Sequence, residues 1–339
     1  SALVDVTTSA KSTNSTADFI KDLPTNRNFY VMMSVSPGVA TSTEGSDRQI
    51  AFGSNMQSNA WHVDGLESSA PETGTTWIYQ NPDAVEEVQV LGIGAPAEFG
   101  NMLGAAFNVV TKSGGNQIRG TLNFFTQSNG LTDSRDDYLI DESAEFQEFE
   151  RNEFYDITAT LGGPIKKDRV WYFLAYEYWR DGMTQPGLDP QFTLPGKSDV
   201  YDAKISTRIN DRNLLDIKGQ YNDWHYPEAY PNYTQSATPF GETGTNWMWG
   251  LNYQSVFNDR TFLEARGSGW ETTDDYFSKT GSTEPGFIDY SPEGGGPPQY
   301  SGGLIYPWTY NTGTTQFDVA VSHFADDFVK GDHDFKFGV

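Results

Sequence analysis

Tyr201-Asp202-Ala203-Lys204-Ile205-Ser206-Thr207-Arg208-Ile209 alternates without a break between two kinds of side chain. Tyr201, Ala203, Ile205, Thr207 and Ile209 make one set; Asp202, Lys204, Ser206 and Arg208 make the other. Successive Cβ atoms of a strand point to opposite faces, so the stretch reads as a strand with one apolar and one charged face. Charges in mid-strand suit a wet surface better than a dry core, where each would need a partner.

Working outward, the same period recurs at 155–161, 215–221, 247–257, 263–269, 317–323 and 335–339, and less cleanly at 118–126 and 170–179. That makes about nine strands of roughly 9–13 residues, against a usual length of about 5–6 in soluble proteins. Short turns are expected at 162–168, 210–213, 258–260 and 330–333, and long connections at 127–152, 181–199, 223–245 and 273–313. Amphipathic strands joined alternately by tight turns and long loops are the layout of an outer-membrane barrel. Trp171, Tyr172, Tyr178, Trp179, Tyr221, Trp224, Trp247, Trp249, Phe257, Trp270 and Phe324 fall near strand ends, where interfacial aromatic girdles belong. A soluble antiparallel sandwich also alternates, but strand length and mid-strand charge favour the barrel.

Composition agrees. There are 46 Asp+Glu against 22 Lys+Arg, a net charge of -24, which disfavours nucleic acid as a partner. Cysteine is absent, so disulfides and thiolate metal sites are excluded. No run approaches the ~18 apolar residues of a spanning helix, a test that strands escape. The 14% aromatic content argues against wholesale disorder. The chain begins at Ser1 without an apolar export segment, as expected of a processed chain or one whose start lies upstream.

Residues before about 118 read differently. Phe19, Ile20, Leu23, Phe29, Tyr30 and Met33 recur at helical spacing over 16–33, with Pro24 expected to divide the run. Strands are expected at 60–63, 85–91 and 107–111, punctuated by Pro37-Gly38, Asp64-Gly65 and Gly114-Gly115. This is a compact α+β domain.

Its motifs are specific. Asp22-Leu23-Pro24-Thr25-Asn26-Arg27-Asn28-Phe29, then Ser36-Pro37-Gly38-Val39, resembles the plug-domain opening of TonB-dependent outer-membrane receptors, closest to the Oar-like branch. Val63-Asp64-Gly65 resembles the plug's substrate-side element, here extended through Leu66 and Glu67. Asp83-Ala84-Val85-Glu86-Glu87-Val88-Gln89-Val90, through Ala97-Glu98-Phe99-Gly100, to Asn108-Val109-Val110-Thr111-Lys112-Ser113-Gly114 resembles the plug's C-terminal signature. Asn101 stands where that family usually has arginine. The resemblance covers about residues 18–118; beyond it only the barrel pattern matches.

The resemblance implies a lead-in over 1–17, an α+β plug over 18–117, and the first strands of a transmembrane antiparallel β-barrel over 118–339. Barrels of that kind have about 22 strands and a plugged lumen. An open sheet in lipid leaves edge groups unsatisfied, so the chain is expected to be the N-terminal portion of a longer protein. It further implies a bacterial (Gram-negative) outer-membrane location, energised uptake of a scarce or bulky ligand, and a TonB-type periplasmic transducer with a proton-driven inner-membrane complex as partners, besides outer-membrane lipid. Leu3-Val4-Asp5-Val6-Thr7-Thr8 is the coupling candidate, since its alternation suits strand addition to a partner's sheet edge; a plain lead-in strand of the plug is the favoured alternative. The signature residues Arg27, Asn28, Phe29, Glu86, Glu87, Glu98, Phe99, Gly100, Thr111 and Lys112 are expected to hold the plug.

No catalytic constellation is found. His62, His225, His323 and His333 are scattered, and neither a nucleophile elbow nor a phosphate loop is present. No enzyme and no cofactor are expected. Asp133, Asp136, Asp137, Asp141 and Glu142 crowd the first long loop, which reads as a solvated loop, as a divalent-cation site, or as a surface that attracts a cationic substrate. A non-transporting structural or adhesive barrel and a soluble β-rich binding protein are the alternatives.

Overall fold

In the computed structural model the alternating segments pair into one antiparallel sheet of nine strands. The structure describes residues 12–21, 27, 29–41, 48–70, 73–92, 94–95, 102–131, 151–183, 194–227, 240–278, 287–289, 299–301, 308–326 and 328–339. The N-terminal part holds β1 (Ser12–Thr16), β2 (Val39–Thr41), β3 (Gln49–Ala51), β4 (Ala60–Val63), β5 (Leu66–Glu67), β6 (Val85–Leu91) and β7 (Ala106–Thr111). The large sheet, here called the wall, holds β8 (Arg119–Gln127), β9 (Arg151–Lys166), β10 (Val170–Met183), β11 (Leu194–Asn210), β12 (Asn213–Tyr226), β13 (Phe240–Asn258) and β14 (Thr261–Ser278). A small hairpin of β15 (Phe287–Asp289) and β16 (Gln299–Ser301) precedes β17 (Trp308–Ala325) and β18 (His333–Gly338), which complete the wall.

The wall is a meander in which each strand pairs with its predecessor in order, β8 to β14, then β17 and β18. Its faces divide as the alternation requires. Tyr201, Ile205 and Ile209 are exposed on the outer face, while Asp202 and Lys204 are buried against the N-terminal domain. Four aromatic residues lie in one cross-strand row on the outer face: Tyr176 pairs with Tyr201, Tyr201 with Tyr221, and Tyr221 with Trp247. Such a row serves as an interfacial girdle.

Two expectations need correction. The strands are longer than the alternation suggests, β13 reaching 19 residues and β14 and β17 reaching 18. Apolar alternation marks only the stretch that faces lipid; pairing continues beyond it with polar residues on both faces. The last long connection therefore narrows to 279–307, and the first short turn shrinks to 167–169. Also, not all the strand-end aromatics form a girdle. Trp270 is 2% exposed, Trp179 lines an inner cleft, and the Trp224 indole donates to Glu242 across the inner face. Each is one residue out of phase with its outward-facing neighbours, and a one-residue shift exchanges the faces of a strand.

The N-terminal strands form a mixed sheet in the order β1-β6-β7-β4-β5, with β4 and β7 parallel. The helical run over 16–33 becomes two single turns, α1 (Ala17–Lys21) and α2 (Phe29–Met33). Ile20, Met32, Met33, Val88, Phe107 and Val109 form the main core around Trp61, which stacks on Phe107 at 4.7 Å. A second cluster joins the domain to the wall, packing Val63, Leu66, Ala70 and Ile78 on Met248 and Trp270. Asp64 (φ 52°) and Gly65 (φ 74°) form the two-residue turn between β4 and β5, both left-handed as a type I′ hairpin demands.

Candidate functional site

The N-terminal domain meets the wall mostly through polar groups, and these form three neighbouring sites.

Residues 77–83 cross the inner face strand by strand. The Asn246 side-chain amide of β13 donates to the Trp77 carbonyl at 2.8 Å. Gln220 of β12 donates to the Tyr79 carbonyl and accepts from the Gln80 amide at 2.7 Å. The Tyr79 hydroxyl donates to Glu177 of β10 at 3.2 Å. Asp83 then accepts from Thr158 of β9, from Asn123 of β8 at 3.0 Å, and from Arg27 at 2.7 Å. The local sequence sets this up: Pro82 starts a 3₁₀ turn, and the Asn81 side chain caps it by accepting from the Asp83 amide.

Arg27 ties this ribbon to the wall. Its Nε donates to Asp156 of β9, its Nη2 to Asp83, and its guanidinium lies 4.0 Å over the Phe125 ring. Burial works against its charge, but Asp156 and Asp83 hold its pKa above the usual value. Burial likewise pushes the Asp83 carboxyl up, yet the Thr158 hydrogen bond and Arg27 outweigh it and leave it below the usual carboxylate range. Burial, then the Glu177 charge, holds the Tyr79 phenol well above its ordinary value, so Tyr79 stays a donor.

The second site lies under the β4–β5 turn, closer to the short-turn end of the wall. Asp64 accepts from the Thr111 amide at 2.8 Å and the Thr111 hydroxyl at 2.6 Å. Lys218 of β12 approaches the same carboxylate at 3.4 Å and Lys204 of β11 at 3.5 Å. Burial alone would raise the Asp64 pKa; the two lysines and Thr111 more than reverse this and lower it. Beside them, both carboxylate oxygens of Asp202 lack a hydrogen-bond partner among the described residues. On β5, Glu67 meets His62 at 3.2 Å and accepts from the Ser69 amide; burial opposes its charge, but these partners lower its pKa.

The third site is a cleft of about 520 Å³ between residues 75–79 and the wall. Its wall residues Phe154, Trp179, Asp181 and Tyr226 sit near the ends of β9, β10 and β12 that lead into long connections. Asp156, Glu177 and Asp181 supply carboxylates, Arg27 and Arg48 guanidiniums, and Tyr30, Trp77 and Tyr79 aromatic surface from the N-terminal side.

The structure unites some motif residues and separates others. Arg27 and Lys112 converge on Asp83, Lys112 by donating to its carbonyl at 2.8 Å, whereas Thr111 donates to Asp64. Phe29 opens α2, and Glu86 and Glu87 lie on β6, where the Glu87 carboxylate accepts from Gln89. Of Val63, Asp64, Gly65, Leu66 and Glu67, Asp64 meets Lys204 and Lys218, Val63 and Leu66 pack with Met248 and Trp270, Glu67 meets His62, and none of the five lines the cleft. Leu3, Val4, Asp5, Val6, Thr7, Thr8, Asn28, Glu98, Phe99 and Gly100 lie outside the described residues, as do Asp133, Asp136, Asp137, Asp141 and Glu142. Among the described residues no three His, Asp or Glu side chains are grouped to hold a metal. Sequence reasoning met Asp83 as the first residue of the plug signature but did not single out Asp156, Glu177 or Gln220 as site residues. Their signal is a polar residue in phase with the inner face; Glu177, between Tyr176 and Tyr178, is the plainest.

Comparison with known proteins follows the same lines. Residues 110–195 match the family model of an outer membrane beta barrel domain. The chain is 27% identical over 183 residues to the TonB-dependent transporter Oar of Myxococcus xanthus, covering 51% of this chain and 17% of that protein. Among solved structures it resembles the outer membrane transporter YddB of Escherichia coli, with 15% identity, a TM-score of 0.71, and 96% of this chain covering 47% of that one. It also resembles the siderophore receptor PirA of Acinetobacter baumannii, with 16% identity, a TM-score of 0.68, and coverage of 96% and 47%. FpvA of Pseudomonas aeruginosa, solved with heterologous pyoverdines, gives 16% identity, a TM-score of 0.69, and coverage of 99% and 42%. The chain thus spans less than half the length of these proteins. It is an outer-membrane β-barrel protein related to the TonB-dependent receptors, and the soluble alternative is set aside.

Proposed function

We propose that this relative of the TonB-dependent receptors carries a ligand across the outer membrane by energised uptake, with residues 18–117 as its plug and residues 118–339 as the first part of its barrel. The nine wall strands leave β8 and β18 as edges, and lipid does not tolerate unpaired backbone groups. Further strands, to a total of about 22, would close the wall around the plug.

The polar seam between N-terminal domain and wall carries this reading. A domain held by Arg27, Asp64, Asp83 and residues 77–80 exchanges its contacts with water at modest cost, whereas an apolar interface of equal size would not. The ligand reaches the cleft at the long-connection end. A periplasmic energy transducer, driven by an inner-membrane complex, engages Leu3-Val4-Asp5-Val6-Thr7-Thr8 and pulls, and the seam yields. Residues 63–67 sit where ligand arriving from the cleft next meets the plug, over Lys204 and Lys218.

The test is Val4→Pro with Val6→Pro, which removes two backbone donors from the coupling segment. Growth that depends on this protein should stop while its outer-membrane abundance is unchanged. Undiminished growth would instead favour a non-transporting structural or adhesive barrel.

A further inference from the structure

We infer that the ligand presents an organic cation, an ammonium or guanidinium group, to the cleft between residues 75–79 and the wall; this rests on the proposal that the cleft receives the ligand.

The hydrogen-bond inventory of the cleft is one-sided. Glu177 is 1% exposed and accepts from the Tyr79 hydroxyl through Oε1, while its Oε2 has no partner. Asp156 is 2% exposed and takes Arg27 on Oδ2, while its Oδ1 has none. Among the described lining residues these are the two buried side-chain atoms without a hydrogen-bond partner, and both are acceptors. A buried carboxylate oxygen without a donor is costly, so an entering group that donates gains more here than one that only accepts. Asp181 adds a third carboxylate. Against them stand Arg27, already committed to Asp83 and Asp156, and Arg48.

The walls suit the same group. Trp179 and Tyr226 lie 6.1 Å apart in the lining, with Trp77, Tyr79 and Tyr30 across the cleft. Aromatic faces attract desolvated cations and give anions nothing comparable. A volume of about 520 Å³ admits such a group with its carbon stem.

The probes are 3-phenylpropylguanidine and 4-phenylbutanoate, of similar size and opposite charge, titrated calorimetrically into the intact protein purified in detergent. The guanidine should bind at least tenfold more tightly than the carboxylate, and its affinity should fall as salt rises. Glu177→Gln, which keeps the bond to Tyr79, should weaken it at least fivefold, as should Trp179→Leu. Asp318→Asn, a carboxylate on β17 outside the lining, should change it less than twofold. Preference for the carboxylate, binding of neither probe, or an undiminished guanidine affinity in Glu177→Gln overturns the inference. If Glu177→Gln fails to fold, Trp179→Leu and the salt series decide in the same way. The assay contains no energy source, so failure of uptake in the Val4→Pro, Val6→Pro variant and failure of cation binding remain separate results.

Discussion

Replacing Asp64 by Asn keeps the shape of the β4–β5 turn and removes one charge. The side-chain oxygen can still accept from Thr111, so the turn itself should form. What changes is the fate of Lys204 and Lys218, whose side chains are 10% and 5% exposed and which converge on this carboxylate. Breaking a buried pair by removing one partner costs about 3–5 kcal/mol, because the other charge stays buried. Asp202 lies near Lys218 and a Thr111 bond survives, so a cost just below that range, about 2–3 kcal/mol, is expected. That corresponds to a roughly 30- to 150-fold increase in the population of domain detached from wall, at about 1.4 kcal/mol per tenfold. Hydrogen exchange read by mass spectrometry on peptides covering 60–67 and 106–111 measures it, with β11 and β12 as internal controls. Adding Lys218→Met should return much of the protection, since the stranded charge is then gone. A change below threefold in Asp64→Asn, or no recovery in the double variant, would show that the cluster does not hold the domain.

Three further outcomes follow from the same geometry. Asp64 and Asp83 have depressed values in the folded protein, so their contribution is complete above the ordinary aspartate pKa of about 3.9 and is lost only as pH falls below it; tryptophan fluorescence of the docked domain should therefore stay constant from neutral pH down to about 4 and change below that. Ile205→Arg places a charge on the lipid-facing side of β11 and should cost about 2–4 kcal/mol in vesicle-based unfolding, whereas Ser206→Arg on the opposite face should be nearly silent. Equal losses would mean that the assignment of faces is wrong. Gly114→Ala should lower folded yield, at a cost of about 1–3 kcal/mol, because its Cβ would lie 2.1 Å from the Tyr172 carbonyl oxygen of β10; a yield equal to the parent's would refute that packing.

Much of the architecture was legible because two constraints act residue by residue. Lipid on one face and a wet interior on the other force strict alternation, so residues 201–209 announced both a strand and its orientation. Length was less legible, since β13 and β14 run past the lipid, where nothing imposes a pattern. Trp179, Trp224 and Trp270 misled for a related reason. Nearness to a strand end suggests a girdle, but phase decides the face, and these three point inward. In the N-terminal domain, motif resemblance identified Arg27, Thr111 and Lys112 without saying what they touch. Their partners Asp83, Asp156 and Asp64 lie tens of residues away or across the wall, at separations a linear pattern does not encode. Glu177 was the missed residue with the clearest mark, a lone charge within Tyr176–Tyr178.

The proposed plug would sit in the barrel lumen, close it, and be held by contacts made to be exchanged. The most direct measurement is single-channel conductance in planar bilayers of the full-length protein with and without residues 12–111. A plugged lumen gives a silent parent and, after excision, stable open channels from barrels that insert normally. Two silent proteins, or equal conductance from both, would contradict it.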